Sequence, residues 1–195
     1  MTSRWVFLRH GQSVGNVSRC LVAPFDSPLT DRGQIQADSA AVALRELGVR
    51  RVVCSPMVRA VQTAERVCVA LGGLRPIVED ALVERTFGEL DAWTVEAVKC
   101  SRWTATRTAW RSAPPGGETL EAVAERAISA LVRHVGAGPV LVVAHAGPIR
   151  AVVGLLDGVD MARIGRVRVP HCQPWVREVA DTRWPRLIAR FSRSS

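Results

Sequence analysis

Apolar residues in this chain fall into two kinds of run. Trp5–Arg9, Arg51–Cys54 and Pro139–Ala144 are short, nearly continuous apolar stretches, the pattern of strands buried on both faces of a parallel sheet. Between them the spacing becomes helical. Leu120, Val123, Ala124, Ala127, Ile128, Leu131, Val132 and Val135 repeat at the i, i+3, i+4, i+7 positions of a helix from about Thr119 to Val135. Thr30 or Asp31 can cap a helix that runs to about Leu47 and is closed by Gly48. Ser55-Pro56 predicts another helix with proline in its first turn, presenting Val58, Val61, Ala64, Cys68 and Leu71 on one face. Residues 76–92 read as a short strand and loop, and the Trp- and Arg-rich stretch 93–111 as helical. A helix is expected from Pro148, and Val167–Val169, Trp175–Val179 and Leu187–Phe191 suggest two or three further strands. This alternation predicts an α/β fold: a three-layer α/β/α sandwich with a mainly parallel central sheet, in one domain over residues 1–195. Ligands of such sheets bind at the carboxyl ends of the strands.

Composition narrows the function classes. With 195 residues, 48% apolar and 23% charged, the chain can bury a core, and disorder is not expected. No stretch approaches the roughly 20 apolar residues of a membrane span. The opening has four apolar residues, Trp5–Leu8, before Arg9 and His10, too few for a secretory segment, so a cytoplasmic location is expected. Five widely spaced cysteines without a Cys-x-x-Cys pair argue against a disulfide framework or a zinc site. Lys99 is the one lysine among 26 basic residues, so 25 are arginine, and the net charge is +8. The arginines are scattered and aromatics are 5% of the chain, which fits an arginine-rich solvated surface better than a nucleic-acid partner. Such a surface also attracts small anions.

Two histidines fall at the expected functional edge, His10 after the first strand and His145 after the most apolar one. Arg9 precedes His10, and Arg59 lies near the start of the helix after the second strand. Two imidazoles and two guanidinium forks on one rim suit a phosphate, and helix N-termini near 56 and 148 would add backbone donors.

Around these residues run Leu8-Arg9-His10-Gly11-Gln12-Ser13-Val14-Gly15-Asn16, Ser27-Pro28-Leu29-Thr30-Asp31-Arg32-Gly33 and Ser55-Pro56-Met57-Val58-Arg59-Ala60-Val61-Gln62-Thr63-Ala64. Glu84-Arg85-Thr86-Phe87-Gly88-Glu89-Leu90, Pro115-Gly116-Gly117-Glu118-Thr119 and Ala144-His145-Ala146-Gly147-Pro148-Ile149-Arg150 follow. In this order, over residues 5–155, the chain resembles the histidine phosphatase superfamily, which includes phosphoglycerate mutases. The resemblance implies a covalent mechanism with His10 as nucleophile and a phosphohistidine intermediate. It implies that Arg9, Arg59 and His145 hold the phosphoryl oxygens, that Asn16 adds a hydrogen bond, and that Glu84 serves as proton donor and then base. Ala146, counted with the phosphate-binding residues, stands where the family often has glycine, which leaves the phosphate pocket intact. No metal or other cofactor is implied.

The expected activity is a metal-independent phosphatase acting on a small phosphorylated metabolite. A cofactor-dependent phosphoglycerate mutase is the alternative, with Arg102, Arg107 and Arg111 imitating its extra basic residues, and a phospholigand-binding pseudoenzyme is a third. Substrate choice would lie in loops 17–28, 85–117 and 157–175, where Trp93, Trp103 and Trp110 either cover a flat substrate body or pack a lid. His134 and His171 read as structural. Strands near the C-terminus offer an edge on which a homodimer could form.

Overall fold

The computed structural model describes residues 1–192. Its centre is β1 (Thr2–Arg9), whose alternating side chains feed two separate cores. Trp5 and Phe7 enter one core, and Val6 and Leu8 the other. β1 is flanked by β4 (Val140–Ala144), in parallel, and by β5 (Trp175–Ala180), antiparallel. β2 (Arg51–Cys54) pairs with β4, and the short β3 (Ile77–Val78) extends the sheet beyond β2, giving the order β3-β2-β4-β1-β5. The mainly parallel sheet of an α/β fold is as expected.

Helices cover both faces. α1 (Val14–Val17) is a single turn. α2 (Asp31–Arg45) buries Ala37, Ala40, Ala41 and Leu44 on one face, and α3 (Val58–Ala70) adds Ala60, Ala64, Val67 and Cys68 to the same core. The Thr30 hydroxyl caps α2 by accepting from Gly33 N at 3.1 Å. Across the sheet lie α5 (Leu120–Leu131) and α6 (Ala146–Leu156), with α8 (Arg183–Phe191) beside them. α4 (Val95–Lys99) and α7 (Met161–Ile164) are short helices on the connections.

Several boundaries depart from expectation, each for a local reason. α3 begins at Val58, because the Ser55 hydroxyl accepts from Met57 N at 3.3 Å and keeps Ser55-Pro56 in a turn. α6 begins at Ala146, and Pro148 falls in its first turn, where no helical N–H is required. The helix expected over 93–111 is confined to α4. The following residues form turns, in which Thr104, Thr106 and Thr108 are poor helix formers. Val167–Val169 is not a strand. Leu187–Phe191 is helical rather than extended: with Trp184 included, the buried positions 184, 187 and 191 have helical spacing.

All five cysteines are free. Burial pushes the thiols of Cys54 and Cys172 up to about 12 and that of Cys68 to about 11, as expected of small buried apolar groups. Among the described residues no helix is long and apolar enough to cross a membrane.

Trp184 is fully buried, its ring 4.3 Å from that of Trp5 on the central strand, so α8 is a clamp on the sheet. Trp184→Ala is expected to lower unfolding stability by about 3–5 kcal/mol, read from the midpoint of urea denaturation.

Candidate active site

The two central parallel strands end side by side, and their next residues are His10 and His145. The His10 amide continues the ladder, donating to Ala144 O at 3.0 Å. The imidazole centroids lie 4.9 Å apart, and the rings are 2% and 0% exposed. The backbone can turn sharply after His10 because two glycines meet there. A Cβ on Gly11 would stand 2.3 Å from Gly33 O, and one on Gly33 would stand 2.0 Å from Gln12 O.

The hydrogen bonds of His10 fix its tautomer. Nδ1 lies 2.6 Å from Gly11 O, a carbonyl that can only accept, so Nδ1 carries the proton. Nε2 therefore holds a lone pair, which accepts from Arg59 Nε at 3.2 Å. Burial first, then His145, Arg9 and Arg59, hold the His10 imidazole well below its ordinary pKa, so it is neutral at pH 7.

His145 is arranged the opposite way. Its Nε2 lies 2.8 Å from the Ser55 hydroxyl, whose oxygen already accepts from Met57 N and whose proton is free to donate. With that proton donated to Nε2, the proton of His145 stands on Nδ1, which is buried and has no partner among the described residues. Arg9 Nε is in the same condition, while its Nη1 donates to Val169 O at 2.9 Å. Burial lowers Arg9 to about 10. Arg59, 1% exposed in the first turn of α3, is tethered through Nη1 to Pro24 O at 2.8 Å. A buried donor without an acceptor costs about 1–3 kcal/mol. An oxyanion would satisfy both.

Glu84 is held beside these groups by two amides, Arg85 N at 2.8 Å and Gly147 N at 2.9 Å, both donating to Oε1. A Cβ on Gly147 would stand 2.3 Å from that oxygen, so only glycine leaves the carboxyl where it is. Ala146 sits in the first turn of α6 and lines, with Arg9 and Glu84, a cavity of about 220 Å³. Asn16 is engaged locally: its Oδ1 accepts from Ser13 N and Ser13 Oγ, both at 3.0 Å. The structure thus gathers Arg9, His10, Arg59, Glu84, His145 and Ala146 at one end of the sheet, with Asn16 capping the neighbouring α1. None of the three loop tryptophans lines the cavity: Trp103 and Trp110 pack into cores, and Trp93 is exposed.

His171, expected to be structural, packs beside the site. It lies in a strap, residues 169–172, laid against the end of β1: Val169 O receives Arg9, Cys172 N donates to Arg9 O, and His171 Nδ1 lies 2.7 Å from His10 O. The strap has no hydrophobic period that would announce it. His134 is structural as expected, with Nε2 at 2.9 Å from Glu79.

A family model described as the histidine phosphatase superfamily (branch 1) matches residues 5–187. The chain belongs to this superfamily. Among its sequence relatives, a protein of Methylobacterium radiotolerans named 2,3-bisphosphoglycerate-dependent phosphoglycerate mutase is 34% identical, with 91% of this chain and 90% of the relative covered. Among solved structures, a mycobacterial glucosyl-3-phosphoglycerate phosphatase in complex with VO3 superimposes with a TM-score of 0.81 at 28% identity, covering 89% of this chain and 90% of the other. The Bacillus stearothermophilus protein YhfR gives 0.78 at 26%, covering 91% and 92%. Histidine phosphatases thus include both mutases and phosphatases among the proteins this chain is similar to.

Burial, followed by the charge of Arg9, lowers His171 to about 4 from its ordinary 6.5. The unfolded chain therefore binds a proton at this residue that the folded one refuses, and the fold loses stability as pH falls from about 6.5 towards 4. His10 and His145 act in the same direction. The Tm is expected to drop across this window, and less steeply in His171→Asn. An identical slope would mean that His171 titrates at its ordinary value.

Proposed function

We propose that the protein is a metal-independent phosphatase that hydrolyses a small phosphomonoester through a phosphohistidine on His10. The observation that carries this reading is the complementary wiring of the two buried imidazoles. One offers a lone pair at Nε2, the other an unpartnered proton at Nδ1, beside the guanidinium groups of Arg9 and Arg59. Phosphoryl transfer needs an in-line nucleophile and donors for the equatorial oxygens. Arg9, Arg59, His145 and the first turn of α6 at Ala146 are such donors. Asn16 contributes through its amide NH2, because its oxygen is already used by Ser13.

In the first step Nε2 of His10 attacks phosphorus, the ester P–O bond breaks, and the leaving oxygen takes the proton of Glu84. The lone pair must leave Arg59 Nε for this, and the arriving phosphoryl oxygens give that N–H a new acceptor. In the second step the Glu84 carboxylate takes a proton from water, whose oxygen attacks phosphorus. The P–Nε2 bond breaks, releasing inorganic phosphate and restoring neutral His10 and protonated Glu84. The cavity of about 220 Å³ is smaller than the roughly 300 Å³ at which drug-sized sites begin, which favours a compact metabolite.

A mutase is the second reading, favoured by the names of the sequence relatives. Against it, Arg102 lies over the Trp103 ring and Arg111 pairs with Glu121, so two of the three basic residues that could retain a bisphosphate are engaged elsewhere.

Wild type is expected to hydrolyse p-nitrophenyl phosphate in EDTA and to be inhibited by vanadate, with turnover abolished in His10→Ala. Inactivity in EDTA that metal restores would refute the metal-free reading. Conversion of 3-phosphoglycerate only when primed by 2,3-bisphosphoglycerate, without net hydrolysis, would establish the mutase instead. Gly147→Ala, which displaces the Glu84 carboxyl, is expected to lower kcat by about 10²-fold or more, the scale of general acid–base catalysis, while vanadate still binds. A Glu84→Gln enzyme with wild-type kcat would remove Glu84 from the mechanism.

A further inference from the structure

The peptide that follows the proposed nucleophile is held on both sides. Its N–H, that of Gly11, donates to the Thr63 hydroxyl at 3.1 Å, and its carbonyl, His10 O, lies 2.7 Å from His171 Nδ1. A carbonyl can only accept, so Nδ1 of His171 carries the proton and donates it. The His10 amide is bonded in turn to Ala144 O. Both backbone polar groups of His10 are thus engaged, one by a sheet neighbour and one by a side chain distant in sequence.

The His10 ring is coupled to this peptide. Its Nδ1 is bonded to Gly11 O at 2.6 Å, so a rotation of the peptide carries that acceptor away and leaves the imidazole without its fixed orientation. Gly11 has no side chain of its own to resist the rotation. The His171 ring also stands against the His10 ring, with centroids 5.3 Å apart and planes at 60°.

The strap that carries His171 is anchored at both ends. Val169 is buried in the core that holds Trp5 and Phe7, and Cys172 in the core that holds Val6 and Leu8. Residues 169–172 thus bestride the end of β1. His171 pairs with Arg9 in a parallel bridge, and Cys172 N donates to Arg9 O at 2.9 Å. Cys172 reaches that place with φ +51°, in the left-handed region that residues with a Cβ disfavour. The unfavourable bend is what brings the strap onto Arg9 and His10.

We propose that His171 is a positioning residue for the nucleophile: with the Thr63 hydroxyl, its Nδ1–H fixes the His10–Gly11 peptide and thereby aims Nε2 of His10 at phosphorus. This rests on the phosphatase reading above. His171 acts through His10 and not on the substrate. A misplacement of about 1 Å in a reacting group can lower a rate about 10²-fold, so the bond bears on kcat. Capture of the phosphoryl group by the guanidinium groups is independent of it.

Two variants separate the bond from the ring. His171→Phe keeps a ring beside His10 and removes the donor, whereas His171→Asn keeps a donor in the place of Nδ1 and removes most of the ring. With p-nitrophenyl phosphate, His171→Phe is expected to lower kcat about 10- to 100-fold with KM within about threefold of wild type. His171→Asn is expected to keep kcat within about threefold. Nitrogen-15 spectra of the histidine side chains, recorded without substrate, read His10 directly. Wild type and His171→Asn should show one His10 tautomer, protonated at Nδ1, and His171→Phe a mixture or a broadened signal. Wild-type kcat and an undisturbed His10 signal in His171→Phe would overturn the proposal, even with a lowered urea midpoint, because His171 would then serve the fold alone. A raised KM at wild-type kcat would place His171 in substrate binding, and an equal fall in kcat in both variants would assign the effect to the ring; either overturns it. If wild type hydrolyses no ester, a His10 signal disturbed in His171→Phe and restored in His171→Asn would support the positioning and refute the phosphatase reading.

Discussion

Burial of Arg9, Arg59, Arg85 and Arg150 around one shared carboxylate, Glu84, is the constraint on which the rest of the site depends. Desolvation lowers the pKa of each guanidinium, and Glu84 in its carboxylate form, the form left once it has given up its proton, is a charge that opposes that shift in all four. The fold therefore invests in the position of Glu84. Two amides hold its side chain, and Arg126 Nη2 donates to its backbone carbonyl at 3.2 Å while also bonding Glu118. The resting site remains short of negative charge, which the phosphoryl group of the proposed mechanism would supply. Binding energy is in this way prepared in advance by the folding of the chain rather than by rearrangement when the ligand arrives.

The sheet gives this arrangement its rigidity. β1 and β4 are in register over five residue pairs, from Trp5 opposite Val140 to Arg9 opposite Ala144, so His10 and His145 leave the sheet at one level. Ser55 leaves β2 at the same level, donating its amide to Val143 O and presenting its hydroxyl to His145. Thr63 on α3 ties the third side: its hydroxyl accepts from Gly11 N at 3.1 Å and donates to Arg59 O at 2.7 Å. The same few bonds that orient the imidazoles also close the layers of the fold.

Much of this was legible in the chain. Continuous apolar runs mark the central strands, and the polar residue that ends each run is a site residue. The spacing of α5 is unbroken, and the ordered motifs around His10, Arg59, Glu84 and His145 locate the chemistry. What escaped was set by contacts distant in sequence. His171 reaches the carbonyl of His10 across 161 positions, and nothing beside it in the chain indicates that destination. The α8 helix was mistaken for a strand because Trp184, the residue that completes its 3.6-residue period, was left out of the pattern.

The topology has a consequence for how the chain is made. β1, which carries the four consecutive apolar residues Trp5–Leu8, precedes its two sheet neighbours by more than 100 positions: they are β4 and β5, from residues 140–144 and 175–180. Until residues 140–144 have left the ribosome, this strand has no native partner and both of its edges are open. Closing so long a loop is slow, and an unpaired apolar strand is prone to wrong associations in the interval. His10 and His145 cannot meet before that closure, so the proposed site emerges late, together with the completed sheet, and its appearance would report that the sheet has closed.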